Sequence, residues 1–161
     1  MAKRSAGILL WKRERSGVRV LLVHPGGPFW ARKDDGAWSI PKGEFEDDED
    51  ARAVARRELV EELGPAAQAL AVAPDTAFVP LGEAKQKGGK VVIAFALEGD
   101  FDIAQLVSNS FELEWPPRSG RKRAFPEVDR AGWFTLDEAR IKILVSQLPF
   151  MVRMAELIPP R

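Results

Sequence analysis

The chain has 161 residues, 45% of them hydrophobic and 30% charged, and its 24 basic side chains balance 24 acidic ones. This length suffices for one domain with a core, and the zero net charge gives no support to a nucleic-acid-binding or membrane-surface protein. The lack of Cys excludes disulfides, thiol catalysis and cysteine-bound metals, and the single His24 excludes a multi-histidine zinc site. We interpret His24 as a polar residue at the edge of a loop.

No apolar stretch approaches the length of a membrane span. The apolar run at residues 6–11 is too short for a signal-peptide core and is followed by Lys12 and Arg13. We therefore expect a cytoplasmic protein. Because no internal repeat, low-complexity tract or linker interrupts the sequence, we also expect a single domain over residues 1–161.

The first part of the chain is predicted to be mainly strand. Two apolar runs, residues 5–12 and 18–24, are separated by a polar segment, which predicts a β-hairpin. The Pro and Gly residues at 25–28 predict a loop that continues to Gly36. Residues 38–40 then predict a short strand that leads into the next segment.

Residues 43–65 predict a loop followed by one helix. The acidic residues 47–50 suit the start of a helix, and Gly64 with Pro65 is a typical stop. At about 100° per residue, Glu58, Glu61 and Glu62 share a face. They lie within or at the edge of the apolar stripe of that helix, which consists of Ala51, Val54, Ala55, Leu59 and Leu63.

That placement of three carboxylates is unusual, because they repel one another and lose hydration. A compensating cation is therefore expected, and clustered oxygen ligands suit Mg²⁺ or Mn²⁺. The alternative is an ordinary helix whose surface acids pair with its arginines.

The second part of the chain mixes strands and helices. Residues 66–80 and 90–99 are rich in Ala and Val and predict two strands joined by a turn at 82–89. Residues 100–117 predict an irregular insertion with one strand at 110–115, followed by a basic loop at 118–123. A last strand is predicted at residues 133–134, and helices at 137–145 and 150–158. Strands on both sides of an internal helix predict an α/β or α+β fold with a mixed sheet.

The stretch at residues 43–65 resembles the Nudix hydrolase signature, G-x5-E-x7-R-E-U-x-E-E-x-G-U, in which U is a bulky apolar residue. The matching residues are Gly43, Glu49, Arg57, Glu58, Leu59, Glu61, Glu62 and Gly64. Pro65 departs from the signature at its last position, which serves packing. Residues 24–44 are also similar to a bacterial branch of predicted nucleoside triphosphate pyrophosphohydrolases.

This resemblance implies a Nudix-type α/β/α sandwich in which the signature forms a loop-helix-loop. It implies metal-dependent hydrolysis of a pyrophosphate bond in a nucleoside diphosphate linked to another group. Glu61 and Glu62 would be metal ligands, and Glu58 would be either a ligand or the base that takes a proton from water. The Gly43 carbonyl is a further candidate ligand. The remaining signature pair, Arg57 and Glu49, would brace the loop against the helix.

Other candidates lie outside the signature. Lys42 is placed to meet a phosphate as a point charge, although a solvated lysine is the alternative. Glu127 is the first candidate for an additional acidic ligand, ahead of Glu112 and Glu114. Trp30 is the best candidate for stacking on a base, and the others are Phe29, Trp38 and Trp115.

The basic residues Arg118, Arg121, Lys122 and Arg123 favour a substrate with three or more phosphates, unless they form only a solvated surface. We therefore expect a nucleoside triphosphate or dinucleoside polyphosphate. The absence of Tyr weakens the similarity to dinucleoside tetraphosphate hydrolases. The Trp-Pro-Pro-Arg-Ser at residues 115–119 lies too far past the signature to indicate a dinucleotide-coenzyme pyrophosphatase.

Two alternatives belong to other classes: a Nudix domain that senses nucleotides without cleaving them, and an RNA-processing Nudix protein. The intact acids disfavour the first, and zero net charge without an aromatic platform disfavours the second. The expected partner is a small nucleotide, without membrane or nucleic acid, and the sequence leaves a homodimer open.

Overall fold

The computed structural model describes residues 3–158. Its elements are β1 (Arg4–Glu14), β2 (Gly17–Pro25), β3 (Lys42–Phe45), α1 (Ala51–Leu63), α2 (Gln68–Ala71), β4 (Val79–Lys85), β5 (Val91–Glu98), β6 (Ser110–Glu114), β7 (Lys122–Pro126), β8 (Val128–Thr135), α3 (Leu136–Lys142) and α4 (Leu148–Leu157). None of the helices in this described part is long and apolar enough to cross a membrane.

The main sheet is mixed and has the strand order β4-β5-β1-β2-β8. Strands β1 and β5 are parallel, and the other pairs are antiparallel. Strand β1 shares one of its edges between two partners: β2 pairs with its last residues and β3 with its first four. This divergence brings the start of the signature segment, on β3, beside the centre of the sheet.

Helices cover both faces of the sheet. On one face Ile8 and Leu10 of β1 pack with Val54 and Leu59 of α1. On the other face Leu9 packs against α3 and α4, as expected from the alternation of side chains along a strand. The predicted α/β/α sandwich with a mixed sheet is therefore confirmed.

Helix α1 begins and ends where the sequence predicts. The Asp50 side chain accepts a hydrogen bond from the Ala53 backbone N–H at 3.0 Å, and Gly64 ends the helix with a φ of 103°, a conformation that favours glycine. Pro65 begins a 3₁₀ turn, Pro65–Ala67. The departure from the signature at Pro65 is therefore accommodated as a change of helix type.

Several predicted elements differ in the structure. Residues 66–78 form short helical turns and not a strand, because Ala-rich segments favour helix and Pro65 suits a first helical position. The turn predicted at 82–89 is present but shorter, since β4 continues to Lys85 and the turn contains Lys87–Gly89. The predicted strand at 38–40 makes only isolated bridges, one of them between Val23 and Ser39. The predicted basic loop ends early, because Lys122 and Arg123 belong to β7.

Candidate active site

The acidic face of α1 lies partly inside the protein. Glu58 is only 9% exposed, among Val54, Ala55 and Leu59. Arg57 is the nearest cation of the same helix, with guanidinium nitrogens 3.8 Å from a carboxylate oxygen of Glu58 and 3.9 Å from one of Glu61. These distances are too long for hydrogen bonds, so Arg57 offsets the charge of the cluster without engaging its oxygens.

Arg57 makes its short contact with the signature loop. Its Nη1 donates to Glu49 Oε2 at 2.9 Å, and the other Glu49 oxygen accepts from the backbone N–H of Glu46 at 3.0 Å. The pairing of Arg57 with Glu49 that the resemblance implied is therefore present. It joins the loop before α1 to the middle of that helix.

Gly43 lies directly against the Glu58 carboxylate. A Cβ built on Gly43 would overlap all three atoms of that carboxylate group. Strand β3 therefore approaches α1 this closely only because residue 43 has no side chain.

Lys42 and Glu62 form the next contact between β3 and α1. The Lys42 backbone N–H donates to Glu62 Oε1 at 3.2 Å. Burial raises the pKa of Glu62 to about 8, against the lowering effect of Lys42. Burial also lowers the pKa of the Lys42 ammonium, against the raising effect of Glu62. Both side chains are thus held where their charged forms are poorly hydrated.

The charges of neighbouring acids also shift the pKa values of Glu58 and Glu127. Burial, and then the charge of Glu61, raises the pKa of Glu58 to about 7. Burial and the charge of Glu61 likewise raise the pKa of Glu127, which in turn acts on Glu58 and Glu62. Glu127 thus lies within electrostatic reach of the α1 cluster.

Two adjoining cavities open beside Glu62 and Glu127. One, of about 180 Å³, is lined by Trp30, Lys42, Glu62 and Glu127 among others. The second, of about 420 Å³, shares Trp30, Glu62 and Glu127 and adds an apolar wall from the β6–β7 hairpin. Lys42 and Trp30 were both predicted to contact substrate, and both lie at these cavities.

The arginines predicted to bind substrate do not line these cavities. Arg118 lies in the turn between β6 and β7, and Arg121 and Arg123 lie beside or in β7, all three exposed. Glu112 and Glu114, the competitors of Glu127, alternate with the cavity-lining Phe111 and Leu113 along β6. Side chains alternate between faces of a strand, so both acids point away from the cavity.

Sequence reasoning misjudged some residues. His24 lies next to the last residue of β2, at the edge of the loop as predicted, but its side chain is 0% exposed, which the sequence does not indicate. Trp38 is 5% exposed and belongs to the core, so it is not available for stacking. Phe111 and Leu113 were missed, although their alternation with Glu112 and Glu114 was a readable strand signal.

The donor chemistry of the cluster suits a hard divalent cation. Within residues 3–158, no three His, Asp or Glu side chains converge into a ready-made coordination group. The oxygens nevertheless come from four neighbouring carboxylates, and β3 passes against one of them. Poorly hydrated carboxylates with few cations beside them are what Mg²⁺ or Mn²⁺ would stabilise. The residues that could hold it are Gly43 (through its carbonyl), Glu58, Glu61, Glu62 and Glu127.

We expect the stability of the metal-free protein to fall as pH rises, in part through Glu62. Its folded-state pKa of about 8 lies above the ordinary 4.5, so the folded state binds this proton more tightly. The resulting stability is complete below pH 4.5 and is lost between about pH 4.5 and 8. Glu62→Gln should therefore gain on the order of 2–4 kcal/mol relative to wild type between pH 5 and pH 9.

Denaturant unfolding in chelator at several pH values measures this difference. Glu44→Gln, an exposed acid on the same strand β3, is the control and should show no such trend. A difference between Glu62→Gln and wild type that stays constant with pH would contradict the raised pKa of Glu62.

Solved structures with the same fold come from several organisms. A C. elegans Ap4A hydrolase, in a binary complex, matches with a TM-score of 0.61 at 17% identity, covering 97% of both chains. The NUDIX domain of Shewanella oneidensis NrtR, complexed with ADP ribose, matches with a TM-score of 0.60 at 17% identity, covering 98% of this chain and 88% of that chain. A mutT/nudix family protein from Listeria innocua matches with a TM-score of 0.59 at 19% identity, covering 96% of this chain and 92% of that chain.

At these identities the structural likeness establishes the fold alone. No curated protein matches the chain. The family model described as NUDIX domain, however, matches residues 1–154, which is nearly the whole sequence. The chain therefore belongs to the NUDIX domain family and is a Nudix pyrophosphohydrolase.

Proposed function

We propose that this protein is a divalent-metal-dependent hydrolase of nucleotides with three or more phosphates, either nucleoside triphosphates or dinucleoside polyphosphates. The observation that carries the proposal is the electrostatic grouping of Glu58, Glu61, Glu62 and Glu127. Of these acids, Glu62 and Glu127 line a cavity together with Trp30 and Lys42. We further infer a single domain over residues 1–161, supported by the extent of the family match. We also infer a cytoplasmic location, because no apolar stretch of the sequence approaches the length of a membrane span.

In this proposal the α1 carboxylates and the Gly43 carbonyl hold Mg²⁺ or Mn²⁺. The bound ion supplies neutralisation of the phosphate charge and acidification of a water molecule. Glu58 acts either as a ligand or as the base that accepts the water proton, and its pKa of about 7 is compatible with the second role. The Lys42 ammonium contacts a phosphate as a point charge, and its backbone N–H bonds to Glu62.

Other residues position these groups and the substrate. The ion pair of Arg57 with Glu49 holds the signature loop on α1. Trp30 forms a wall shared by both cavities, and its indole offers a face for a nucleotide base. The nearby Lys33 ammonium lies 5.0 Å from the ring centre of Trp30, which helps to fix that wall.

The β6–β7 hairpin supports the preference for a long phosphate chain. Residues paired across antiparallel strands share a face. Arg123 pairs with the cavity-lining Leu113, and the Arg121 carbonyl accepts from the Trp115 backbone N–H at 2.9 Å. Arg121 and Arg123 therefore lie on the same side of the hairpin as the cavity, although they do not line it. Lys122 pairs with Glu114 and lies on the opposite side.

Replacing Arg121 and Arg123 together by Ala should raise KM for a nucleoside triphosphate or dinucleoside polyphosphate about tenfold. This corresponds to about 1.4 kcal/mol, the low end for charge-assisted contacts, because both arginines are exposed. Steady-state kinetics should show almost no change with ADP-ribose, whose outer half is uncharged. Lys122→Ala is the matched control and should behave as wild type. An equal rise in KM for both substrates, or an equal rise in Lys122→Ala, would show that Arg121 and Arg123 are only solvated surface residues.

The proposal as a whole is tested by comparing kcat/KM over nucleoside triphosphates, dinucleoside polyphosphates and ADP-ribose in Mg²⁺. We expect the highest values for substrates with three or more phosphates. Tight nucleotide binding without product would instead indicate a sensing domain. Salt-dependent RNA binding with RNA cleavage would indicate an RNA-processing protein.

A further inference from the structure

His24 is a buried polar side chain that the proposed reaction does not use. Its ring is 0% exposed and lies edge-on to Trp38, with ring centres 5.2 Å apart. Its Nδ1 is 2.8 Å from Asp129 Oδ1, and its Nε2 is 2.7 Å from the Lys33 carbonyl oxygen. Both ring nitrogens are therefore engaged, which fixes the orientation of the ring.

Asp129 is the extra residue of a β-bulge. In the pairing of β2 with β8, Arg130 lies opposite His24 and Val128 lies opposite Pro25, so Asp129 has no partner on β2. A bulge bends its strand and redirects the neighbouring side chains. The residue two positions before it is Glu127, which the proposed function places among the metal ligands.

The hydrogen bond of His24 Nε2 connects the ring to the loop that carries Trp30, a residue that lines both cavities. Lys33, whose carbonyl it contacts, lies at the end of the turn that carries Trp30, and the Lys33 backbone N–H donates to the Trp30 carbonyl at 3.0 Å. The loop is tied to Glu127 at its start as well, because the Gly26 N–H donates to the Glu127 carbonyl at 2.9 Å. One imidazole thus links the bulge near Glu127 to the loop of Trp30.

We propose that His24 and Asp129 are a positioning pair that sets the direction of the Glu127 carboxylate by holding this bulge. The inference rests on the proposed function, in which Glu127 acts in hydrolysis. Neither residue of the pair lines the two cavities beside the acids. Their effect on the reaction is therefore exerted through Glu127, and secondarily through the Trp30 loop.

A double-mutant cycle between Asp129→Ala and Glu127→Gln tests the pairing. Asp129→Ala should lower kcat about 10- to 100-fold, the usual cost of losing a group that orients a ligand, with little change in KM. Asp129→Asn keeps an acceptor for His24 and should stay within about threefold of wild type. In the Glu127→Gln background, Asp129→Ala should cause no further loss, because the carboxylate that it positions is already absent.

His24→Ala should lower kcat in the same way, and Asp129→Ala keeps the test valid if that variant fails to fold. Asp100→Ala, which removes a carboxylate bonded to Lys12 at 2.9 Å away from these cavities, is the control and should leave kcat unchanged. Additive losses of kcat in the cycle, or a wild-type rate in Asp129→Ala, would overturn the positioning role of His24 and Asp129 and leave the role of Glu127 intact. A wild-type rate in Glu127→Gln would overturn the role of Glu127 and this proposal with it.

Discussion

Glu61→Gln and Glu62→Gln should each lower kcat by about 10²–10⁴-fold, within the range typical of groups that act directly on the reacting atoms. Each change keeps the size of the side chain and removes its charge. A neutral amide is a poor ligand for a hard divalent cation, so the phosphate charge would be left without compensation. Both residues lie on α1 at a partly exposed position, so the fold should survive.

Steady-state kinetics at low and high Mg²⁺, with thermal unfolding alongside, measure this effect. Both variants should unfold at or above the wild-type temperature, since removing one charge from a crowded acidic cluster relieves repulsion. Wild-type turnover at low Mg²⁺ in either variant would contradict its assignment as a ligand.

Gly43→Ala should reduce kcat at least about 100-fold while leaving the protein folded. The new methyl group would overlap the Glu58 carboxylate, and that carboxylate is the end of a flexible side chain that can rotate away. Gly43 also lacks the positive φ at which an L-residue is strained. The expected loss therefore comes from displacement of Glu58 by an ångström or more, which is costly for a reacting group.

Glu44→Ala is the neighbouring control for this variant, because Glu44 is exposed on β3. It should keep the wild-type rate, and both variants should retain the wild-type circular dichroism spectrum. A wild-type rate in Gly43→Ala would show that the close approach of β3 to Glu58 has no part in catalysis. Unfolding of Gly43→Ala would show that the approach matters for the fold.

The parts of the site that the sequence predicted are those set by local periodicity or by the signature spacing. The helix period placed Glu58, Glu61 and Glu62 on one face, and the structure has Glu58 in the core as expected. The resemblance to the signature implies the pairing of Arg57 with Glu49, and the structure contains it. Local signals also predicted the helix end at Gly64.

The parts that the sequence did not predict depend on distant partners. The burial of His24 is not predicted because its partner Asp129 lies 105 residues further along the chain, and no local pattern joins the two. The loop predicted at 118–123 includes Lys122 and Arg123, which belong to β7, because the strand character of these basic residues comes from pairing with β6. The strand predicted for residues 66–78 rests on their content of both Ala and Val, but Ala favours helix, and the segment forms helical turns.

The most direct test of metal-dependent hydrolysis is the Mg²⁺ dependence of product formation from one nucleoside triphosphate or dinucleoside polyphosphate, followed by chromatography. The protein is first treated with chelator, and free Mg²⁺ or Mn²⁺ is then restored in steps. We expect no product in chelator and a saturable return of pyrophosphate-bond cleavage with the metal, which Glu61→Gln and Glu62→Gln fail to show. Equal cleavage with and without metal, or no cleavage of any substrate with three or more phosphates, would contradict this account.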